Sequence, residues 1–136
     1  AYDSTKDKIQ KIKSLWPTLG VAGTTPESLC YDAMMSSFLQ TSNADDNYFI
    51  NYSDGSPWFS NSDAYYYGDN AANHCKKIVK GMRNRGVKVL SYFISDWCNE
   101  STKRTFEMMY GEDASFINPS NMMEVAKTMN KMFLSK

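Results

Sequence analysis

The sequence predicts an α/β domain: a Rossmann-like, mostly parallel sheet with helices on both faces. Three observations carry this. Short apolar runs suited to buried strands alternate with stretches whose apolar residues recur at helical spacing. The connections between them are short, as in parallel sheets covered by helices. "VKVLSYFI", residues 87 to 94, is a near-continuous β-branched and aromatic run of the kind a strand buried on both faces requires. A chain of 136 residues suits one compact domain over 1–136, large enough to bury a core without metal or disulfide staples.

Each element has its own signal. From Lys6 to Trp16, the residues Ile9, Ile12, Leu15 and Trp16 recur among lysines, which predicts an amphipathic helix closed by Pro17. "GTTPES", residues 23 to 28, reads as a helix start, with a threonine cap, Pro26 at the first helical position and Glu27 or Ser28 in the first turn. That helix runs to about Leu39, with Leu29, Ala33, Met34 and Phe38 expected inward. After the loop "TSNADDN", Tyr48 to Tyr52 reads as an interior strand. The polar and aromatic stretch from Ser56 to Gly68 has no clear period and reads as an exposed loop.

Ala71, Ala72, Cys75, Ile78, Val79 and Met82 then mark a helix ended by Arg85 and Gly86, which leads into the strand from Val87. A helix over about 99–110 carries Phe106 and Met109 inward and stops at Gly111; "ASFI", residues 114 to 117, is a short strand. Asn118 is placed to cap the last helix, with Pro119 first and Met122, Val125, Ala126, Met129 and Phe133 as its buried stripe.

Composition narrows the function classes. Fifteen basic residues balance fifteen acidic ones, so no overall field draws in nucleic acid or an anionic membrane. The six basic residues Lys76, Lys77, Lys80, Arg83, Arg85 and Lys88 read as a solvated outer face. Cys30, Cys75 and Cys98 are widely spaced and form no Cys-x-x-Cys pair, which fits a reducing cytoplasm better than a disulfide framework. No apolar run reaches the roughly 20 residues that span a bilayer. His74 is the single histidine and, with no nucleophile motif beside it, reads as a surface or capping residue. The nine methionines, several at helical spacing in the last helix, read as core.

In open α/β sheets, ligands collect outside the carboxyl ends of strands. Asp54 follows such an end, in "YFINYSDGSP". Asp-Gly there is also ordinary turn chemistry, just as Thr25 has an ordinary role as a helix cap. Taken together, a hydroxyl and a carboxylate from separate loops suit Mg²⁺, which prefers oxygen ligands and keeps several waters. Asp96 sits at the carboxyl end of the next strand as a second carboxylate with no assigned ligand role. The exposed polar and aromatic residues after Asp54, among them Ser56, Trp58, Phe59 and Tyr65, suit contact with a partner, with a loop folded onto its own core as the alternative.

The segments "GTTPESLCYDAM", "YFINYSDGSP", "GDNAANHCKKIVKGMRNRGVKVLSYFI", "FEMMYGEDASFI" and "NMMEVAKTMNKMFL" resemble, in order and spacing, the later part of a von Willebrand factor type A (VWA) domain. The flavour is that of the cobalt chelatase subunit type found in bacteria and tailed phages. The resemblance implies a metal-ion-dependent adhesion site: an Asp-x-Ser-x-Ser loop after the first strand, a threonine on a second loop and an aspartate on a third. By position these last two are Thr25 and Asp54. Asp3, Ser4 and Thr5 begin something like the first loop, but its fifth position is Asp7. "AYDSTKDKIQ" is therefore read as the end of the family's third strand running into a helix, with the first loop expected upstream of Ala1.

The resemblance also implies that the family's first strand lies centrally, so that a domain lacking it would expose sheet edge and apolar surface. The N-terminal part of the same domain, or another chain, is the expected cover. The implied function is a Mg²⁺-dependent protein-binding module, an adaptor for an AAA+ ATPase. The alternatives are an accessory, non-catalytic subunit of a cobalt chelatase and a structural or assembly component of a phage particle. No acid and base pair or nucleophile marks a catalytic centre.

Overall fold

The computed structural model describes residues 2–4, 6–18, 23–41, 46–95, 99–117 and 122–134. Thr5, Asp96, Cys98, Asn118, Pro119 and most of the 41–47 loop lie outside the described residues. The helices are α1 Gln10–Leu15, α2 Glu27–Thr41, α3 Gly68–Asn84, α4 Glu100–Tyr110 and α5 Met122–Leu134. The strands are β1 Asn47–Ser53, β2 Phe59–Ser60, β3 Tyr65–Tyr66, β4 Val87–Phe93 and β5 Ala114–Phe116. The expected order of helices and strands is present, and the molecule is a mixed α/β fold.

The main sheet has the order β1-β4-β5 with both pairings parallel. β4 is central and alternates cleanly between two faces. Val87, Val89 and Phe93 pack with α2, α3 and α4 residues including Tyr31, Val79, Phe106 and Tyr110, whereas Leu90 and Tyr92 pack with Val125 and Met129 of α5. Tyr92 ties α5 down by donating to the Val125 carbonyl (3.2 Å) and bonding the Thr128 hydroxyl. On the other face, Phe106 is the hub of an aromatic cluster, with ring centroids 5.3 Å from Phe93, 4.7 Å from Tyr110 and 5.6 Å from Phe116. Edge-to-face rings of this kind add to the burial of large apolar area.

Several details depart from the sequence expectations. Tyr48 to Tyr52 belongs to a strand that pairs on one side only, so among the described residues β1 is an edge rather than an interior strand. Ser53 turns its carbonyl to β4, where it accepts from Ile94 N–H (2.9 Å). By alternation, Tyr48, Ile50 and Tyr52 present their backbone groups to the open side.

The inward face of α2 is rotated from the expected one: Glu27, Ser28, Tyr31 and Met35 are buried, while Leu29, Ala33 and Met34 are exposed. Polar contacts set this rotation. Glu27 is anchored by Tyr110 and Ser28 by Tyr66, and Tyr31 and Met35 follow on the same face at helical spacing.

In α5 the stripe is only partly buried. Val125 is buried and Met129 half-buried, but Ala126 is exposed and Phe133 remains 40% exposed against the Tyr48 ring. A three-stranded sheet offers α5 a narrow floor.

At the N-terminus, the segment expected to end a strand is a turn in which Lys6 and Asp7 N–H groups donate to the Asp3 carbonyl. Side-chain pairs Lys6–Asp3 and Lys11–Asp7 favour that local folding. α1 is shorter than the predicted 6–16 helix and gives way to a 3₁₀ turn at Trp16–Thr18 around Pro17; Ile9, Leu15 and Trp16 are exposed.

The supposed loop from Ser56 to Gly68 contains the β2–β3 hairpin, and Trp58 forms a β-bridge with Thr25. Tyr66 pins this hairpin: its hydroxyl bonds Ser28, donates to the Ala71 carbonyl (3.2 Å) and lies 2.9 Å from His74 Nδ1. His74 is thus half-buried and engaged, not a surface residue.

The other described elements follow their expectations, except that among the methionines read as core Met34 and Met123 are exposed. Ala71, Ala72, Cys75, Val79 and Met82 are the buried face of α3, Asn99 caps α4 by accepting from Thr102 N–H, and Phe106 and Met109 point inward. The basic residues Lys76, Lys77, Lys80, Arg83 and Arg85 are exposed, and Lys88 pairs with Asp46. Among the described residues no helix is long and apolar enough to cross a membrane.

Candidate functional site

β1 ends where its apolar and polar alternation ends. Ser53 is buried, and the chain then turns through Asp54 and Gly55. The Ser53 hydroxyl accepts from Gly55 N–H (2.9 Å), and Asp54 Oδ1 accepts from Ser56 N–H (3.1 Å). The turn depends on Gly55, which has φ +75° and lies directly on the aromatic core. A Cβ there would sit 2.7 Å from Phe93 Cε2 and 3.3 Å from Phe106 Cδ2. Only glycine fits both the backbone conformation and the space, so the Asp54 turn is seated on the core.

Thr25 reaches the same place from another direction. Its carbonyl accepts from Trp58 N–H and Glu27 N–H, each at 2.9 Å, which holds the start of α2 beside the chain leaving β1. The expected capping role of its hydroxyl is not taken up: among the described residues the Thr25 side chain makes no hydrogen bond. Thr25, Glu27, Tyr52, Ser53, Asp54 and Ile94 together line a shallow cleft of about 280 Å³ at the carboxyl end of β1. The two residues singled out from sequence therefore meet.

Glu27 is the residue that sequence reasoning passed over, since it was assigned only to the first turn of a helix. Its signal was its spacing, two residues after Thr25. It is 7% exposed. Burial pushes its carboxyl above the ordinary range; hydrogen bonding to Ser53 opposes that shift, and the neighbouring Asp54 charge adds to it. Tyr110 donates to Glu27 Oε2 (3.4 Å) while accepting from Asn51 Nδ2 (3.0 Å), with the Tyr31 hydroxyl 3.1 Å away. This network positions Glu27 from behind, and burial pushes the Tyr31 and Tyr110 phenols upward.

Apart from the Tyr52 phenol, which donates to Met129 Sδ (3.8 Å), the cleft's donor groups are two carboxylates and two hydroxyls, from Thr25 and Ser53, and no Lys, Arg or His lines it. Among the described residues no cluster of three His, Cys, Asp or Glu side chains exists. An all-oxygen, incomplete ligand set fits a hard cation that retains waters or borrows a ligand from elsewhere, and does not fit zinc.

The four candidate contact residues separate. Ser56, Trp58 and Tyr65 are exposed, whereas Phe59 is half-buried in the hairpin opposite Tyr66. Tyr65 packs against Tyr67 with ring centroids 4.4 Å apart. Ser56 and Trp58 line a second recess, of about 290 Å³, with Gly55, Pro57, Tyr67, Gly68, Ser101, Thr102 and Thr105. A larger cavity of about 570 Å³ lies at the opposite end of the sheet, around the starts of β4 and β5. Of its rim charges, Arg83 pairs with Asp113 and Lys88 with Asp46, while Glu112 and Lys131 also line it.

Against protein-family models, curated proteins and solved structures alike, the chain has no match.

Proposed function

We propose that the chain is a binding module of VWA type that holds Mg²⁺ at Thr25 and Asp54, with Glu27 beside them, and engages a protein partner whose carboxylate completes the ion's coordination. One observation carries this reading. Two carboxylates and an unengaged hydroxyl share a cleft that no cationic side chain lines. Bringing like charges together at a partly buried site is unfavourable unless a cation offsets it. Thr25 and Asp54 would ligate the ion directly, and Glu27, fixed by Tyr110, Asn51 and Ser53, would orient its waters or ligate it. Ser56 and Trp58 beside the cleft, and the exposed Tyr65 of the hairpin, would supply contact surface, and Phe59 holds the hairpin in shape.

The second part of the proposal concerns the sheet. The open edge of β1 among the described residues and the exposed Leu29, Ala33 and Met34 of α2 support completion by a further strand and its cover. That strand comes from the N-terminal part of the same domain or from another chain. The resemblance to the chelatase type supports a ring-forming AAA+ ATPase as partner, an inference by analogy. The balanced charge favours a protein partner over nucleic acid, and the free thiols of Cys30 and Cys75 support a cytoplasmic setting, the host cytoplasm for a phage-encoded chain.

Calorimetric titration of the full-length protein with Mg²⁺ tests the site. Binding to the parent and a loss of at least about tenfold in Asp54→Ala are expected, the scale on which disturbing a metal's supporting shell acts. Equal binding by the two proteins would remove Asp54 from the site.

A further inference from the structure

The recess beside the cation cleft has a different chemistry. It lies between the chain leaving β1 and the first turns of α4. Its lining residues are Gly55, Ser56, Pro57, Trp58, Tyr67, Gly68, Ser101, Thr102 and Thr105. None of these carries a carboxylate, ammonium, guanidinium or imidazole group. A charged ligand would find no counter-charge in the recess, and desolvating it without one is costly.

What the recess offers is two aromatic faces and, besides the Tyr67 phenol, four aliphatic hydroxyls. Trp58 and Tyr67 are 43% and 52% exposed, so each ring retains area on which an apolar surface can stack. Thr102 Oγ1 donates to Asn99 Oδ1 and Thr105 Oγ1 donates to the Ser101 carbonyl, both at 3.0 Å, leaving each hydroxyl its acceptor lone pairs. Among the described residues the Ser56 and Ser101 hydroxyls make no hydrogen bond, so they can donate or accept. Gly68, whose Cβ position is open space, lets a ligand approach the backbone. At about 290 Å³ the recess is at the small end of ligand pockets, with room for one small ring rather than an extended molecule.

We propose that this recess is a binding subsite for a neutral polyhydroxylated ring, a single sugar residue. The apolar face of the ring stacks on Trp58 or Tyr67. Its hydroxyls, each both donor and acceptor, pair with Ser56 and Ser101 and donate to Thr102 and Thr105. The recess shares no residue with the cation cleft, so the proposal stands independently of the Mg²⁺ reading.

The test is an ¹⁵N NMR titration of the full-length protein with glucose, galactose, mannose and N-acetylglucosamine, with inorganic phosphate and citrate as charged controls. The expected result is saturable shifts of the Trp58 indole N–H and of the Gly68, Ser101 and Thr102 amides with at least one sugar. The shifts should persist in EDTA-treated protein, so a failed Mg²⁺ experiment leaves this result standing. Ser101→Trp, a substitution at an exposed helix position that fills the recess, should abolish the shifts. Trp58→Ala should weaken binding by about tenfold or more, as loss of an aromatic anchor does. The absence of saturable shifts with all four sugars, shifts with phosphate or citrate instead, or shifts that survive Ser101→Trp would each overturn the proposal.

Discussion

Gly55 shows how single residues set the site. It combines a left-handed backbone conformation with contact distances that no side chain can meet. Gly55→Ala should destabilise the fold by about 2–4 kcal/mol, from the backbone strain and the overpacking against Phe93 together. Thermal or denaturant unfolding measures this, and a change within experimental error would mean that the turn is not seated on the core. Cys75 gives a second residue-scale expectation. It is fully buried, and burial pushes its thiol from 9.0 up to about 12. The raised value means that the stability it confers is present below about pH 9 and is lost as pH rises towards 12, by roughly 1.4 kcal/mol per pH unit for one group. In native protein at pH 8, iodoacetamide followed by peptide mass spectrometry should label exposed Cys30 and spare Cys75. Equal labelling of the two would contradict this burial. Thr25 and Asp54 were legible in the sequence because each follows a recognisable signal, a helix start and a strand end. Glu27 was not, because its importance comes from partners far away in sequence, Ser53 and Tyr110.

At the scale of elements, helices and strands with strong local patterns were legible to within a residue or two. α3, β4 and α4 carry their own periodicity, caps and stops, and the fold uses them as written. α2 was located correctly, but of its expected inward residues only Phe38 packs on the core. Its apolar residues are spread around the helix, so side-chain pattern alone leaves the rotation undetermined, and the bonds of Glu27 and Ser28 decide it. The β2–β3 hairpin was missed because its strands are two residues each, too short to show alternation, and it is held by Tyr66 and the Thr25–Trp58 bridge. β1 supplies the prediction that belongs here. Phe49, Asn51 and Ser53 face β4, whereas Tyr48, Ile50 and Tyr52 turn their backbone to the open edge. Amide hydrogen exchange along β1 should therefore alternate, faster at the second set, wherever no further strand is paired. Uniform protection of all six amides would show that the edge is already covered.

For the whole molecule, the parallel order β1-β4-β5 places the carboxyl ends of all three strands on one side, and that side carries the Thr25, Glu27 and Asp54 cleft and the sugar recess next to it. The apolar surface at the β1 edge, at Leu29, Ala33 and Met34 of α2 and at Leu134 of α5 belongs to a different question, that of how the sheet is completed. The two questions meet at β1, since the strand that ends at the cleft is, like β5, an edge strand among the described residues. A partner strand parallel to β1 would bring its own carboxyl end beside Asp54, where the incomplete oxygen ligand set of the cleft has room for another donor. The central claim is that a hard cation sits at this point of the fold. Paramagnetic broadening by substoichiometric Mn²⁺, read from ¹⁵N spectra of the full-length protein, tests it most directly. The account predicts selective loss of the Thr25, Glu27, Asp54, Gly55 and Ile94 amide signals, reversed by excess Mg²⁺. Broadening centred instead on Glu112 and Asp113 at the opposite end of the sheet, or none that Mg²⁺ reverses, would contradict it.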